Sequence, residues 1–433
     1  MAEDSSSLTA DEFSSSPPPP PPPSLMAEVS KSTWSSLPFE LTTAIFSYIT
    51  HVSTFLHARF ACKSWESAFP LSESRLPPQP PLLMLAFLPS TNTRPFYNLA
   101  SGSCQQLPLQ PNNPDQHCFG VSHGWLFLLA ISPAVSLYNP FTREVIHLPP
   151  IDTISSDLVS HQKALNAEYV IQLDLPVQKS GIPRKGLIRA AILSSDPASD
   201  PDFVAFVVIE AMVKRFFCCR KNDKVWTPAA VPHPLFACTD LAYSRVKRRI
   251  FAVNNTNSHL VTFDIGPLGA IAASAAEISN LPKSQATYLV ETNNGGLLAI
   301  TRHEKLNAIS TRLWRFLVFF LDLSGGTAMT LKPTYVTSMP YHALFVGRGQ
   351  TVCIDCRIFS EFKPNCIYFV HEYYKTVKDT RSIIGETVSR YSLGERKVEK
   401  TYDLDALGPP ISYIFRMLAP ARWVSPNLKK CEG

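Results

Sequence analysis

The sequence predicts a mainly β fold, in which three short helices near the N-terminus precede a β-propeller of about six to seven blades. Three observations support this prediction. A helical spacing of apolar residues is confined to residues 34–69. From Leu76 onward, short β-rich runs alternate with polar turns. Within that region a motif recurs after 41 residues, from Tyr97 to Tyr138, which is inside the ~40–45 residues typical of a propeller blade.

The chain of 433 residues is longer than one typical hydrophobic core requires, so we expect several folded units. Residues 1–33 are rich in serine and proline and contain seven consecutive prolines, from Pro17 to Pro23. We expect an extended polyproline II spacer there, although a ligand for an SH3 or WW domain has the same composition. The predicted helical unit covers residues 34–75 and the predicted propeller covers residues 80–425.

The composition excludes several classes of protein. Hydrophobic residues make up 45% and charged residues 17% of the chain, which indicates a globular protein. The net charge of +5 is spread along the sequence, so we expect no nucleic-acid partner. The most apolar stretches are too short to cross a membrane, and no signal peptide is expected. Ten cysteines without a secretory signal are typical of reduced thiols in the nucleus or the cytoplasm.

Three helices are predicted between residues 34 and 69. In the first, Pro38 suits the opening turn, where its missing N–H costs nothing. Ser53 is the predicted N-cap of the second helix, and the third contains Trp65 and ends before Pro70. The spacing i, i+3, i+4, i+7 and i+8 places one set of apolar residues on a single face of the first helix: Leu41, Ala44, Ile45, Tyr48 and Ile49.

The motif that recurs is a Tyr-Asn pair followed by Leu-Pro. Phe96-Tyr97-Asn98 precedes Leu107-Pro108, and Leu137-Tyr138-Asn139 precedes Leu148-Pro149. A unit of this size cannot bury both of its faces alone, so copies stacked around an axis are favoured over a sandwich. Closure of the ring requires a first and a last strand that pair. The sequence predicts these at Leu82-Leu83-Met84-Leu85-Ala86 and at residues 411–417, although the latter would also suit an external helix.

No pattern in the sequence indicates catalysis, a cofactor or a metal. Cys353 and Cys356 form a lone C-x-x-C, and neither Cys366 nor His371 completes a common zinc spacing, so packed thiols are expected. The adjacent Cys218 and Cys219 should point to opposite faces of a strand. Two further segments are predicted to be a turn and a solvated hairpin loop: Gly347-Arg348-Gly349 and Val246-Lys247-Arg248-Arg249.

The helical region resembles an F-box. The resemblance rests on a Leu-Pro-x-Glu-Leu start and a Cys-Lys-x-Trp end, here Leu37-Pro38-Phe39-Glu40-Leu41 and Cys62-Lys63-Ser64-Trp65. The rest of the chain resembles plant F-box proteins that carry a KIB-type domain, which is similar to a β-propeller. The matching stretches include Ser122-His123-Gly124-Trp125-Leu126, Tyr138-Asn139-Pro140-Phe141-Thr142 and Asn365-Cys366-Ile367-Tyr368-Phe369. Ala61 departs from the family pattern, where valine is usual, and its smaller side chain would reduce the contact area with a partner.

This resemblance implies a non-catalytic substrate-recognition subunit of an SCF-type ubiquitin ligase. Its partners would be a Skp-type adaptor, through it a cullin, and an unidentified protein substrate. By position, the adaptor contacts would be Leu37, Pro38, Leu41, Ile45, Cys62 and Trp65, although each could instead pack inside the helical trio. Two alternatives remain open from the sequence, namely a propeller enzyme with an axial active site and an F-box scaffold outside any ligase.

Overall fold

A computed structural model describes most of the chain from residue 33 onward. The described residues are 33–70, 76–85, 93–108, 116–130, 132–154, 159–161, 168–172, 179–183, 188–209, 215–231, 238, 240–254, 258–266, 271–306, 312–323, 330–347, 349–377, 380–402 and 421–431. The predicted tail, residues 1–33, lies outside this set except for its last residue.

The N-terminal region forms three short helices, as predicted. They are α1 (Phe39–Ser47), α2 (Val52–Arg59) and α3 (Lys63–Ala68), and a single 3-10 turn at Thr33–Ser36 precedes them. Pro38 caps α1. The prediction that Ser53 caps α2 is wrong, because α2 already begins at Val52 and has no side-chain cap. The side chain of Gln79 accepts the Val52 N–H at 2.9 Å instead, so a distant residue satisfies the helix end.

Six sheets of four or five strands follow, and each is one blade. Blade 1 contains β1 (Leu82–Met84), β2 (Thr93–Asn98) and β3 (Ser103–Pro108), together with the last strand, β29 (Arg422–Val424). Blade 2 contains β4 (His117–Ser122), β5 (Trp125–Leu129), β6 (Val135–Tyr138) and β7 (Val145–Leu148). A separate three-stranded sheet then comes before blade 3: β8 (Val159–His161), β9 (Glu168–Gln172) and β10 (Lys179–Pro183).

Blade 3 contains β11 (Ile188–Leu193), β12 (Val204–Ile209), β13 (Arg215–Arg220) and β14 (Thr227–Ala229). Blade 4 contains β15 (Asp240–Ser244), β16 (Arg249–Val253), β17 (His259–Ile265), β18 (Ile271–Ile278) and β22 (Thr330–Leu331). Blade 5 contains β19 (Ala286–Glu291), β20 (Leu297–Leu306), β21 (Arg312–Leu321) and β23 (Pro333–Val336). Blade 6 contains β24 (His342–Val346), β25 (Val352–Asp355), β26 (Cys366–Val377), β27 (Thr380–Ser392) and β28 (Lys397–Tyr402).

The hydrophobic core is divided into six clusters, and each lies between two consecutive blades. Strands such as β5 and β12 are buried along their whole length, because a blade packs on a neighbour through both faces. The cluster between blades 1 and 2 also includes residues from the helices. The six-bladed propeller confirms the predicted fold class, and the blade count falls within the predicted range.

The 41-residue repeat corresponds to the third and fourth strands of blades 1 and 2. Asn98 and Asn139 each end a third strand and turn the chain back toward the fourth. The Asn98 carboxamide oxygen accepts the Ala100 N–H at 2.9 Å, and the Asn139 oxygen accepts the Phe141 N–H, also at 2.9 Å. Asparagine is favoured at such turns because its side chain bonds the backbone two residues on.

The ring closes through the two ends of the propeller. Leu82, Leu83 and Met84 pair antiparallel with Val424, Trp423 and Arg422. The prediction of a first strand at residue 82 is confirmed. The proposed last strand, residues 411–417, lies outside the described residues, and the strand that pairs with β1 is β29. This strand is only three residues long, which is why its sequence did not stand out.

Candidate functional site: the outer face of the N-terminal helices

The three helices pack around an aromatic cluster centred on Phe46. Its ring stacks on Phe69 with centroids 3.7 Å apart, and it meets the rings of Phe55 and Trp65 edge-on at 5.6 Å. The buried residues of α1 are Thr42 and Phe46. The inward-packing side of α1 is therefore different from the apolar face that the sequence spacing predicts.

That other apolar face is turned toward solvent. We use "the α1 outer face" for Leu41, Ala44, Ile45 and Tyr48. Leu41 is 54% exposed and Tyr48 is 85% exposed, whereas Ile45 is half-buried. Large apolar side chains on one exposed helix face commonly mark a protein–protein interface. The α1 outer face is thus the leading candidate for a docking surface.

The six residues predicted to contact an adaptor have different surroundings. Pro38 and Leu41 are exposed, while Leu37, Ile45 and Cys62 are half-buried. Leu37 and Cys62 lie against the cluster between blades 1 and 2. Trp65 is buried against Phe46. The structure thus places Trp65 in the internal core of the trio, and leaves Pro38 and Leu41 accessible.

The helices are attached to the propeller by specific polar and cation–π contacts. Besides accepting the Val52 N–H, Gln79 donates from Nε2 to the Thr50 carbonyl at 2.9 Å. The Arg143 guanidinium, in the turn between β6 and β7, lies 4.0 Å above the centre of the Phe60 ring. These contacts join the helices to the segment that leads into β1 and to the β6–β7 turn of blade 2, so α1 has a defined position relative to the propeller.

Sequence reasoning missed the residues that make this attachment. Phe60 and Gln79 belong to no motif, and Arg143 lies between the Tyr-Asn and Leu-Pro pairs of the repeat without belonging to either. Arg143 has φ +63°, a conformation that turns favour. Nothing in the spacing of these residues indicates that they meet, because their contact depends on how the trio sits on the blades.

The centre of the propeller is occupied by residues 349–351, which begin at the last residue of the turn predicted at Gly347-Arg348-Gly349. Gly349 adopts φ +109° beside the Arg422 guanidinium, and a Cβ there would come within 3.2 Å of Nη1. The Gln350 side-chain oxygen accepts the His123 N–H of blade 2 at 3.3 Å. Because this segment of blade 6 reaches not only the neighbouring blades 1 and 2 but also, through Thr351, Asp240 of blade 4, it lies across the axis.

Asp240 is buried beside this axial segment. Its Oδ2 accepts the Leu289 N–H at 2.8 Å. Burial raises the pKa of Asp240 to about 7, while hydrogen bonds from the Leu289 and Leu241 N–H groups and an interaction with the Thr351 hydroxyl oppose the rise. Within the part of the chain that the structure describes, no group of three His, Cys, Asp or Glu side chains is arranged to hold a metal ion.

The cysteines singled out from the sequence occupy separate packing environments. Cys353 packs between blades 5 and 6, whereas Cys356 packs between blades 6 and 1. Burial raises the pKa of Cys353 to about 12 and that of Cys356 to about 11, so both thiols are protonated at neutral pH. Cys218 and Cys219 face blades 4 and 2 respectively, as the alternation of a strand requires.

Residues 246–248 of the basic run lie in the turn between β15 and β16, as predicted, whereas Arg249 begins β16; Val246 is strongly exposed. Among the described residues, the helices are all too short and too polar to cross a bilayer.

Comparison with known proteins identifies the family. A family model described as the KIB1-4 beta-propeller matches residues 96–401, which is well over half of the chain. F-box protein At1g10110 of Arabidopsis thaliana is 23% identical over 272 residues, covering 60% of this chain and 62% of that protein. The chain thus spans less than two thirds of this relative. Probable F-box protein At4g22060 from the same plant is 22% identical over 434 residues, covering 92% of this chain and 97% of that protein.

Solved structures are more distant. The Cps50 (Swd1) beta-propeller domain of Myceliophteria thermophila is 9% identical, with a TM-score of 0.34, and the match covers 75% of this chain and 87% of that domain. A similarity of this size has no bearing on function. The matched family model, the F-box relatives and the helical trio on the propeller agree, and the chain belongs to the KIB1-4 beta-propeller family of plant F-box proteins.

Proposed function

We propose that this protein is the substrate-recognition subunit of an SCF-type ubiquitin ligase. The α1 outer face would bind a Skp-type adaptor, which in turn binds a cullin, and the propeller would hold the protein substrate. The observation that supports this most directly is the exposure of Leu41 and Tyr48 on a helix whose inner side is already packed. Burying such a face against a partner is favourable at about 25 cal/mol per Å² of apolar surface.

The contribution of the chain would be positional. A substrate held on the propeller is kept near the ubiquitin carrier, and tethering raises its effective concentration without any catalytic group in this subunit. The bonds from Gln79 to the start of α2 and the contact of Phe60 with Arg143 of blade 2 fit this role, because a loosely attached adaptor site would not fix the substrate's position. We therefore propose a non-catalytic protein that acts in the nucleus or the cytoplasm.

The same proposal sets the domain boundaries. Residues 34–75 would be sufficient for adaptor binding when held on the propeller at residues 80–425, and residues 1–33 would be dispensable. A chain that starts at residue 34 should retain both adaptor binding and thermal stability.

The test is adaptor binding by variants of the full chain. Leu41→Asp places a charge in the centre of the α1 outer face and should reduce the amount of Skp-type adaptor captured by at least about tenfold, since desolvating a charge in an interface costs several kcal/mol. Thr43→Asp is the matched control, because Thr43 is exposed on the opposite side of the same helix. Replacing both Leu37 and Pro38 by alanine tests whether the Leu-Pro start of the F-box-like motif contributes to adaptor binding.

Circular dichroism of each variant shows whether the propeller remains folded. Equal adaptor capture by Leu41→Asp and Thr43→Asp would refute the assignment of the α1 outer face. Purification from plant cells then separates the open alternatives. Adaptor together with cullin supports the ligase subunit, while adaptor without cullin indicates a scaffold. Absence of both, combined with turnover of a small substrate, would favour an enzyme.

A further inference from the structure

Arg94 is a buried cation that the described residues do not neutralise. It is the second residue of β2, and only 2% of its surface is exposed. Its Nε and Nη1 atoms have no hydrogen-bond partner within the described ranges. A charged group taken out of water and left unpaired strongly destabilises a fold, and for that reason buried charges are normally paired or bound to an ion. Arg94 therefore requires an explanation.

The Arg94 side chain lies between the facing sheets of blades 1 and 2, in the space that we call the wedge. In the sheet it lies opposite Leu107, and it shares a strand face with Phe96; both neighbours belong to the cluster between these two blades. On the far side of the wedge, Cys118 of β4 is close enough to interact with Arg94 electrostatically. Burial lowers the pKa of Arg94, which is the response of a cation that lacks a counter-charge.

Two further polar side chains enter the same wedge. Arg422 lies opposite Met84 on that face of blade 1, and its Nη2 donates to the Cys118 carbonyl at 3.5 Å. Gln105 lies opposite Phe96, and neither atom of its buried carboxamide has a partner in the described part of the chain. Within the described residues, the wedge thus holds two unpartnered nitrogens of Arg94 and the unpartnered carboxamide of Gln105, and the Arg422 guanidinium adds a second positive charge on the same face of blade 1.

We propose that the wedge between blades 1 and 2 binds an oxyanion, a carboxylate or a phosphate group, with Arg94 as its principal ligand and Gln105, on the adjacent strand β3, beside it. An oxyanion accepts several N–H groups at once and neutralises the buried charge. Arg94 lies at the opposite end of β2 from the turn at Asn98, whereas the helices contact the equivalent turn of blade 2 through Arg143. The site is thus separate from the proposed adaptor surface, and its existence does not depend on adaptor binding.

The first experiment measures binding to the wild-type full chain, so it needs no variant. Isothermal titration with inorganic phosphate and with succinate, at constant ionic strength, should give saturable heat for at least one of them. Saturation by phosphate alone would indicate a phosphorylated ligand, and saturation by succinate alone a carboxylate. No saturable heat with either probe would overturn the proposal.

The second experiment places the site. The probe that gives saturable heat should raise the melting temperature of the wild type by about 3 °C or more, and this rise should saturate with probe concentration. The same probe should not change the melting temperature of Arg94→Met. Arg189→Met is the matched control, since Arg189 is an exposed arginine on β11, and it should respond as the wild type does. If Arg94→Met does not fold, Arg94→Lys replaces it and should weaken binding at least about tenfold, because lysine does not reproduce the guanidinium donors. An undiminished response of the Arg94 variant would overturn the assignment.

Discussion

Replacement of Trp423 by alanine should destabilise the propeller at the joint that closes its ring. The side chain is only 1% exposed. Its indole meets the Phe345 ring of blade 6 edge-on at 4.9 Å, and its Nε1 donates to the Val346 carbonyl at 3.2 Å. Removing a buried tryptophan costs about 3–5 kcal/mol, and leaving a buried carbonyl unpaired adds about 1–3 kcal/mol. These losses are a large fraction of the ~5–15 kcal/mol by which a typical domain is stable.

The measurement is equilibrium unfolding in guanidinium chloride, followed by circular dichroism in the far ultraviolet so that the lost indole does not alter the signal. Trp423→Phe retains a ring without the N–H donor and should lose less stability than Trp423→Ala. Trp226→Ala is a matched control at the joint between blades 2 and 3, because Trp226 is also buried and donates to the Pro149 carbonyl at 2.8 Å. A Trp423→Ala variant within about 1 kcal/mol of the wild type would refute this account of closure.

Truncation tests the same joint without a substitution. Deleting residues 421–433 removes β29 and exposes the edge of β1, so the protein should aggregate or melt at a markedly lower temperature. Deleting residues 429–433 keeps β29 and the bond from Asn427 Nδ2 to the His123 carbonyl, and it should have a much smaller effect. Equal melting temperatures for the two truncations would show that β29 does not close the ring.

Three further predictions concern single polar contacts. Because burial raises the pKa of Asp240 to about 7, its stabilising contribution is greatest at low pH and is lost as the pH rises through 7. The wild type should therefore lose about 1.4 kcal/mol between pH 6 and pH 8 relative to Asp240→Asn, measured as the difference in unfolding free energy; an equal pH dependence of both proteins would contradict this. Gln79→Ala removes the acceptor for the Val52 N–H and should increase hydrogen exchange in α2 at a cost of about 1 kcal/mol, and unchanged exchange would show that the contact does not hold the helix. In urea unfolding, Asn139→Ala should lower the free energy of unfolding by about 1–2 kcal/mol more than Asn98→Ala does. The reason is that, of the two, only Asn139 is fully buried and also donates to the Asn427 carbonyl. Equal losses for the two variants would mean that this added bond contributes nothing.

The order of the domains was predictable because local patterns specify local structure. The spacing of Leu41, Ile45 and Tyr48 has a helical period, and the Tyr-Asn and Leu-Pro pairs mark one turn and one outer strand of a blade. Such signals depend on residues close in the sequence, and the structure retains them: α1 forms, and Asn98 and Asn139 bond the backbone of equivalent turns.

The tertiary structure alone decided which face of each element is buried. The apolar spacing of α1 does not distinguish a face that packs inward from one that is exposed to solvent. In the structure Thr42 is buried and Leu41 is exposed. Closure by β29, the axial position of Gln350 and the burial of Arg94 without a counter-charge among the described residues all depend on residues about 200 or more positions apart in the chain, or on the stacking of whole blades. Contacts at that separation leave no periodic signal, since each is fixed by the shape of the closed ring rather than by neighbouring residues.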